Sequence, residues 1–321
     1  MINLRNNFRI ILDSKVSNNY IVTIAIGEQY CKDWENYALP SWKLYCEKFD
    51  IGLIVFTNDL VLKEDPKWKK ATWQKLLIGK TLKNCIPEIE NICYLDTDIL
   101  ISPIAPDVFK NFDKESISLV SLRKNLPYDY NEVLKKIAFF RNNYYDENYP
   151  LDSALFISIP DLYNYHELDP VEDEACAGFF IFNVEEKSEL LYNYFFEIDS
   201  NINSITGGGD QTHFNHFVQK NSKINWMGYK YQAIWVFEMA SKFPFLYKTK
   251  GSNDNIIQDC IDASLLDNYF LHFAGSWHES QMWKTYKYNY FDNLIVLYNK
   301  FIKYEKSNLT GKPQGIIKPK A

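Results

Sequence analysis

Short runs rich in apolar residues, many of them β-branched, recur along the first third of the chain, and helical patterns separate them. The runs are Tyr20–Ile26 (YIVTIAI), Gly52–Phe56 (GLIVF) and Asn91–Ile101 (NICYLDTDILI). Runs of this length without polar alternation predict strands that are buried on both faces. Between them, Cys31–Phe49 and Trp68–Leu82 carry apolar residues at helical spacing, and Pro40 predicts a break in the first helix. This alternation predicts an α/β, Rossmann-like fold with a mostly parallel, mixed sheet flanked by helices.

The middle of the chain predicts two more strands with an irregular insertion between them. The strands are expected at 117–122 and 178–184, and the insertion at about 125–175, with one helix at Asn131–Asn142. A Tyr- and Asn-rich stretch of this length fits a flap or partner-binding region better than a sheet. Its acidic end is interpreted as a solvated face, formed by Glu167, Asp169, Glu172, Asp173 and Glu174.

Composition narrows the class of protein and the partners it can take. With 46% hydrophobic and 24% charged residues, the chain is neither disordered nor collagen-like. Thirty-five basic against 41 acidic residues give a net charge of −6, so no nucleic-acid partner is expected. An anionic substrate would need local cations or a metal ion. The six cysteines form no CxxC pair and the N-terminus shows no apolar signal core, which favours reduced thiols and a cytoplasmic location.

Two carboxylates, Asp96 and Asp98, are the sharpest local feature of the sequence. Alternate residues of an extended strand point the same way, so both side chains can converge near the strand's C-terminal end. Ligands of open α/β sheets bind at that edge. Two carboxylates placed there repel each other unless a cation lies between them, and oxygen ligands suit Mg²⁺ or Mn²⁺. The alternative is a strand that ends in two solvated acids, and three residues alone do not decide between these interpretations.

The segment around these acids, Thr72–Phe109, resembles the donor-binding half of GT-A glycosyltransferases, particularly glycosyltransferase family 8. That family includes the glycogenins and bacterial lipopolysaccharide galactosyl- and glucosyltransferases. It combines a helix that carries Lys or Arg with a strand that ends in Leu-Asp-x-Asp. Further segments resemble family motifs in the right order: Val22–Tyr30 (first strand and nucleotide-binding turn), Ala177–Asn183 (Asn-Ala-Gly-apolar-Asn), Gly209–Asn215 (Asp-Gln-x-x-x-Asn) and Leu271–His278 (His-Phe-x-Gly-x-x-Lys-Pro-Trp).

The chain departs from family 8 at three places. His278 replaces the Lys of the last motif, and Cys176 stands where the family usually has Asn. The triplet Gly275-Ser276-Trp277 is similar to glycosyltransferase family 32, another GT-A group with paired acids.

The resemblance implies a site assembled from distant parts of the chain. A divalent ion, Mn²⁺ or Mg²⁺, would be held by Asp96, Asp98 and His272. Donor-binding groups would lie at Thr23, Ala25, Tyr30, Lys75, Asp96, Thr97, Gly275 and His278. Catalytic roles would fall to Asp98, Asp210 and Gln211, and acceptor contacts to Trp277 and Trp283.

Several of these residues also have a purely structural interpretation. Asp210 can serve as a helix N-cap, and Lys75 can extend along a helix surface. Trp277 and Trp283 can be core or surface aromatics. His213 and His216 lie one helical turn apart, and we interpret them as structural histidines rather than zinc ligands.

The implied activity is the metal-dependent transfer of a hexose from a nucleotide-diphosphate sugar, a UDP-hexose, to a hydroxyl of a glycan acceptor. The acceptor would be a cell-surface polysaccharide or lipopolysaccharide, and the reaction would retain the anomeric configuration. An inverting enzyme would need a carboxylate base such as Asp173, Glu174 or Asp152. Two alternatives stay open: a nucleotidyltransferase with a related sheet, and a non-catalytic carbohydrate-binding module.

Three regions are expected along the chain. Residues 1–285 would form the GT-A catalytic domain, 286–305 a C-terminal helix, and 306–321 a basic, disordered tail. The C-terminal region carries Phe, Leu and Lys residues that could support a weak association with a membrane surface, although packing on the main domain is the preferred interpretation.

Overall fold

Ten strands in the described part of the chain form one sheet of seven strands and one of three. The computed structural model describes residues 7–145, 155–206, 209–248 and 254–287, together with 296, 299 and 303. The strands are β1 (Phe8–Leu12), β2 (Asn19–Ile24), β3 (Gly52–Phe56), β4 (Asn91–Leu95), β5 (Ile99–Ile101), β6 (Ser116–Val120), β7 (Phe179–Asn183), β8 (Lys223–Met227), β9 (Ala233–Ile234) and β10 (Phe270–His272).

The large sheet has the order β1-β3-β2-β4-β7-β6-β8. Strands β3, β2 and β4 are parallel neighbours, and β6 and β8 are parallel to each other. Only β1 and β7, among these seven, run against the common direction. Every residue of β3, β4, β6 and β7 is buried, because helices cover both faces of the sheet. The predicted α/β class with a mixed, mostly parallel sheet is confirmed.

Helices flank this sheet and fill the connections between its strands. The α-helices are α1 (Glu28–Asp33), α2 (Leu39–Phe49), α3 (Ala71–Gln74), α4 (Ile78–Cys85), α5 (Tyr130–Tyr144), α6 (Ile159–Tyr165), α7 (Val184–Glu197), α8 (Ile202–Ile205), α9 (Gln211–Asn221), α10 (Trp235–Lys242) and α11 (Asp254–Asp267). A π-helical segment spans Trp34–Ala38, and 3₁₀ segments span Lys75–Leu77, Tyr229–Gln232, Pro244–Lys248 and His278–Thr285.

The first helical region is continuous, so the expected break at Pro40 is wrong. The π-helical segment joins α1 to α2, and Pro40 lies in the first turn of α2. Proline lacks the amide hydrogen that a regular helix would need there, and the π-helical segment directly before it is where the α-helical hydrogen-bond pattern is interrupted.

The strand expected over Asn91–Ile101 is in fact two strands in different sheets. Strand β4 ends at Leu95, and the Asp96 amide makes one last bond, of 2.9 Å, to the Gly178 carbonyl. The chain then turns through Asp96–Asp98 and enters β5, which pairs with β10 in the three-stranded sheet β5-β10-β9. The two acids therefore occupy the junction between the sheets rather than the end of one long strand.

The described part of the 125–175 insertion contains two helices, α5 and α6, and packs on the main body. Asp129 caps α5, because its side chain accepts a hydrogen bond from the Glu132 amide. At the other end of this helix, Arg141 forms a buried ion pair with Glu279, and its Nε lies 2.7 Å from Glu279 Oε1. The Tyr145 hydroxyl donates to the second oxygen of Glu279 at 2.7 Å. This anchor joins the insertion to the segment that follows His278.

Most of the predicted C-terminal elements lie outside the described residues. Of the helix expected at 286–305, residues 296, 299 and 303 are helical, and the tail at 306–321 is not described. Within the described ranges, no helix has the length and apolarity needed to cross a bilayer.

Candidate metal centre and active site

Asp96, Asp98 and His272 converge at the junction of the two sheets. His272 Nε2 lies 3.2 Å from Asp98 Oδ1 and 3.9 Å from Asp96 Oδ2. One ligand atom from each of the three residues lies within 4.8 Å of the others. The pairing of β5 with β10 places His272 opposite Ile99, and the Phe273 amide donates to the Asp98 carbonyl at 3.1 Å. Strand register thus positions the imidazole beside the acids.

The chemistry of this donor set fits a divalent cation. Two carboxylates and one imidazole suit Mn²⁺ or Mg²⁺, which complete their coordination with water or substrate oxygens. Burial disfavours the charged His272 ring, but the adjacent Cys176 and Asp98 outweigh it, and the pKa of His272 is raised well above its usual value. The negative charge around the ring therefore favours a positive charge at the centre of the cluster.

Two neighbouring side chains hold the cluster in orientation. The Tyr94 hydroxyl donates to Asp96 Oδ1 at 2.7 Å, which leaves Oδ2 on the side of His272. Gln232 Nε2 lies 3.0 Å from His272 Nδ1, so the opposite ring nitrogen faces the acids. Both are almost fully buried. Partners of this kind fix the orientation of metal ligands and raise metal affinity. Tyr94 was not among the predicted site residues, although residues two apart on a strand, such as Tyr94 and Asp96, point to the same face.

Gly178 also belongs to the site, because no side chain fits at its position. A Cβ there would lie 2.4 Å from His272 Cε1 and 2.5 Å from Asp96 Oδ2. Gly178 immediately precedes β7, which pairs with β4 in the large sheet. A glycine at the start of a buried strand signals close approach of another group, and this signal was available in the sequence.

Lys75 and Asp210 form a buried ion pair near the cluster. Lys75 Nζ lies 2.8 Å from Asp210 Oδ2 and donates to the Ala177 carbonyl at 2.6 Å. Asp210 occupies the N-cap position of α9, yet its side chain makes no capping hydrogen bond. Burial raises the pKa of Asp210, and Lys75 opposes this effect. Asp210 is therefore not a simple N-cap, and Lys75 does not extend along a helix surface.

Gln211 joins a second buried charge network. Its Nε2 donates to Glu174 Oε1 at 2.9 Å, and Arg123 Nη2 lies 3.2 Å from Glu174 Oε2. Asp173 and Glu174 are each 2% exposed, so the interpretation of the acidic end as a solvated face is wrong for these two residues. The three acids that precede them, Glu167, Asp169 and Glu172, are exposed as expected.

The other donor-binding candidates surround the same edge of the large sheet. Strand β2 runs parallel to β4, so Thr23 and Ala25 lie at its C-terminal end, on the side where Asp96 and Thr97 follow β4. Both residues are buried, whereas Tyr30 is 68% exposed. Gly275 has φ of +106°, a left-handed conformation that favours glycine. Their roles in binding a donor stay predictions.

The aromatic candidates differ in exposure. Trp277 is half-buried and stacks on Tyr145, with 14° between the ring planes. His278 is exposed and meets the same tyrosine edge-on at 5.0 Å between centroids. Trp283 is 5% exposed and packs edge-on against Tyr37. This packing is that of a core aromatic, and the acceptor roles of both tryptophans stay predictions.

Comparison with known proteins yields distant similarities of fold. The sequence matches no family model and no curated protein. One similar solved structure is a glycosyltransferase involved in the glycosylation of the major capsid of PBCV-1, with 10% identity and a TM-score of 0.46, covering 83% of this chain and 98% of that one. Another is the apo structure of the bifunctional glycosyltransferase WbbM, with 11% identity and a TM-score of 0.42. That match covers 88% of this chain and 52% of WbbM, so this chain spans about half of that protein. Neither likeness is close enough to assign a family or an activity.

Proposed function

We propose that this chain is a metal-dependent GT-A glycosyltransferase that moves a hexose from a nucleotide-diphosphate sugar, a UDP-hexose, to a hydroxyl of a glycan. The acceptor we propose is a cell-surface polysaccharide or lipopolysaccharide. The observation that carries the proposal is the convergence of Asp96, Asp98 and His272 at the edge where parallel strands end. Ligands of α/β sheets bind at this edge, and the motif resemblance of the surrounding segments supports the same activity.

In this proposal the three clustered residues hold Mn²⁺ or Mg²⁺. A divalent ion bound there offsets the negative charge that develops on the leaving nucleotide diphosphate. Tyr94 and Gln232 keep Asp96 and His272 in orientation through their hydrogen-bond contacts. Gly275 and His278 are the proposed contacts of the diphosphate. Gly275 would allow close approach of its backbone, and the exposed His278 ring would donate a hydrogen bond.

Asp210 is the proposed partner of the donor sugar, either through its hydroxyls or beside its anomeric carbon. Lys75 supports this role because its ammonium group opposes the effect of burial on the Asp210 carboxylate. Glu174 is already engaged by Gln211 and Arg123, which makes it a poor free base for inversion. Asp173 is 2% exposed and accepts the Glu174 amide, so it is not a free base either. Both observations support retention of the anomeric configuration. Asp152, another candidate base, lies outside the described residues.

The remaining parts of the proposal concern location and organisation. We assign residues 1–285 to the catalytic domain and the half-buried Trp277 to the acceptor. A cytoplasmic location with a weak contact to a membrane surface through the C-terminal region fits a glycan acceptor carried on a lipid. The net charge of −6 supports a partner other than nucleic acid.

Metal-dependent nucleotide binding provides the decisive test. We expect UDP to raise the melting temperature of the full chain when Mn²⁺ is present and to have little effect with EDTA. Asp98→Asn should remove this stabilisation. Asp259→Asn is the matched control, because Asp259 is an exposed carboxylate on α11. Equal stabilisation of the wild type and Asp98→Asn would overturn the metal assignment.

The reaction itself separates the candidate classes. A glycosyltransferase should slowly hydrolyse one of the UDP-, GDP- or CMP-sugars and release the nucleotide, even without an acceptor. A nucleotidyltransferase would instead release pyrophosphate from a nucleoside triphosphate and a sugar 1-phosphate. A carbohydrate-binding module would do neither and would show no metal-dependent nucleotide binding. Either of the last two outcomes would exclude the proposed activity.

A further inference from the structure

A pocket of about 490 Å³ lies at the opposite end of the small sheet from His272. Its walls come from Gly228–Tyr231, which precede β9, and from Asp267–Tyr269, which precede β10. Strand β10 runs from this pocket to the metal centre and ends at His272. The volume falls in the range of small-molecule sites. None of the residues assigned to the proposed active site lines this pocket.

Tyrosine rings supply the apolar surface of the pocket. Tyr231 and Tyr269 are half-buried, and their ring centroids lie 5.1 Å apart with 66° between the planes. Two rings at this angle form a corner with both an aromatic face and an aromatic edge. Tyr229 also lines the pocket, and its hydroxyl is held by Glu238 at 3.1 Å. Flat rings cover the C–H faces of sugars well, and the hydroxyl of a tyrosine adds a polar contact.

The charges around the pocket balance one another. Lys242 Nζ lies 2.7 Å from Glu238 Oε2 and 2.8 Å from Asp267 Oδ2. Lys230 Nζ lies 5.8 Å from the Tyr269 ring centroid and adds one positive charge. The charges of the two lysines are matched by Asp267, which lines the pocket, and by Glu238, which is fully buried behind it. A phosphate or sulfate would find no excess of positive charge here. Carboxylate and amide groups, from Asp267 and Asn125, are instead the usual partners of hydroxyl groups.

We infer that this pocket binds a neutral saccharide at a site separate from the metal centre. The inference goes beyond the proposed function and does not depend on it, because the pocket shares no residue with the cluster. In an enzyme that acts on a glycan, such a site would hold a remote part of the chain and raise its local concentration at the reaction centre.

The test uses the full chain with maltotriose, cellobiose, lactose and chitobiose as neutral probes and glucose 1-phosphate as an anionic one. Saturation-transfer NMR should show binding of at least one neutral probe, and this binding should persist in Asp98→Asn. Tyr269→Ala should weaken it by about tenfold, which corresponds to the loss of one aromatic contact. The far-UV circular dichroism spectrum and the cooperative thermal unfolding of the same variant should be retained and serve as the control for folding.

A second variant, Gly228→Leu, distinguishes loss of the pocket from loss of the fold. Nothing lies within 4 Å of a Cβ added at Gly228, whose φ of −66° suits any residue, so Gly228→Leu should fill the pocket without disturbing the core. We expect it to abolish saccharide binding and to leave the melting temperature unchanged. Three results would overturn the inference: no neutral probe binding at millimolar concentration, binding that Asp98→Asn removes but Gly228→Leu does not, or a preference for the anionic probe.

Discussion

Lys75 and Asp210 are joined by a 2.8 Å ion pair in which neither side chain is more than 6% exposed. Removing one partner of such a pair leaves an uncompensated buried charge, which costs about 3–5 kcal/mol. We therefore expect Lys75→Met to lower the free energy of unfolding by about 3 kcal/mol in urea titrations. The double variant Lys75→Met/Asp210→Asn should recover part of this loss, because it removes both charges.

The exposed pair Lys32–Glu28, at 2.6 Å, is the control for this comparison. Because its partners are solvated, Lys32→Met should change the free energy of unfolding by less than about 1 kcal/mol. A loss of unfolding free energy for Lys75→Met as small as that for Lys32→Met would contradict this prediction. It would mean that water reaches the Asp210 carboxylate and that the pair is not buried.

Tyr94→Phe should weaken the metal centre while sparing the fold. The substitution removes the hydroxyl that donates to Asp96 Oδ1 at 2.7 Å and keeps the ring against Phe180. Loss of such a supporting hydrogen bond usually costs about 10–100-fold in metal affinity. We expect a drop of about tenfold in Mn²⁺ affinity, measured by electron paramagnetic resonance.

Tyr20→Phe offers a matched comparison, since the buried Tyr20 also donates to an aspartate, Asp13, at 2.6 Å. Tyr20 lies near the start of β2, at the other end of the strand from the metal centre. This variant should bind Mn²⁺ like the wild type. Equal losses in both variants would indicate a general effect on stability rather than support of Asp96.

Gly178→Ala should disrupt the metal centre directly. The added Cβ would lie 2.4 Å from His272 Cε1 and 2.5 Å from Asp96 Oδ2, so both ligands must move. We expect loss of Mn²⁺-dependent stabilisation by UDP in thermal melts. Gly228→Ala, where the new methyl group meets nothing within 4 Å, should retain it. Normal metal binding by Gly178→Ala would contradict the assignment of Asp96 and His272 as metal ligands, because both side chains must move to admit the methyl group.

Glu279→Gln should loosen the helical insertion from the body of the protein. Glu279 is fully buried, pairs with Arg141 and accepts the Tyr145 hydroxyl. Because the substitution removes the negative charge that pairs with the buried Arg141, we expect a loss of about 3 kcal/mol in the free energy of unfolding. The exposed pair Lys80–Glu189 provides the control, and Glu189→Gln should leave urea unfolding almost unchanged.

His213 should make stability depend on pH in the acidic range. Burial, with smaller effects from His166 and His216, lowers the pKa of His213 from 6.5 to about 4. As the pH falls from 6.5 towards 4, the unfolded chain binds a proton that the native protein does not, so stability is lost. Above pH 6.5 both states are neutral and this contribution is fully present.

We expect His213→Gln to flatten the pH profile of the free energy of unfolding between pH 6.5 and 4. His166 and His216 also have lowered pKa values, so some slope should remain. Near neutral pH and above, the two profiles should run parallel. An unchanged slope in the acidic range would mean that His213 is protonated in the native protein.

The inner strands of the large sheet could be predicted from the sequence because they are buried on both faces and read as apolar runs. The edge strands β1 and β8 were not predicted, because they mix exposed and half-buried residues. Gly52–Phe56 is a strand with these very bounds. The break between β4 and β5 could not be predicted in this way, since the residues on either side of Asp96–Asp98 are equally apolar. The division depends on β10, whose register with β5 is a contact between distant segments.

The candidate site likewise combines residues that local motifs predict with residues that only contacts between distant segments bring in. Motifs pointed to Asp96, Asp98 and His272, and the structure brings these three side chains together. Gln232 carries no motif and reaches His272 only through the fold. Glu174 belongs to an acidic run that resembles a surface, and its burial depends on Arg123 and Gln211, which lie far away in the sequence. Patterns identify elements and motifs, whereas tertiary partners decide which charges are buried.

The turn at Asp96–Asp98 has a consequence for cooperativity. Asp96 closes a strand of the seven-stranded sheet, and His272 closes a strand of the three-stranded one. An ion held by both would link the docking of the two layers to its own binding, since a form with separated layers would lack the centre. Saturation with Mn²⁺ would then slow amide hydrogen exchange along β5 and β10, well beyond the ligands themselves. The proposed cofactor would thus also stabilise the packing of the seven-stranded sheet against the three-stranded one.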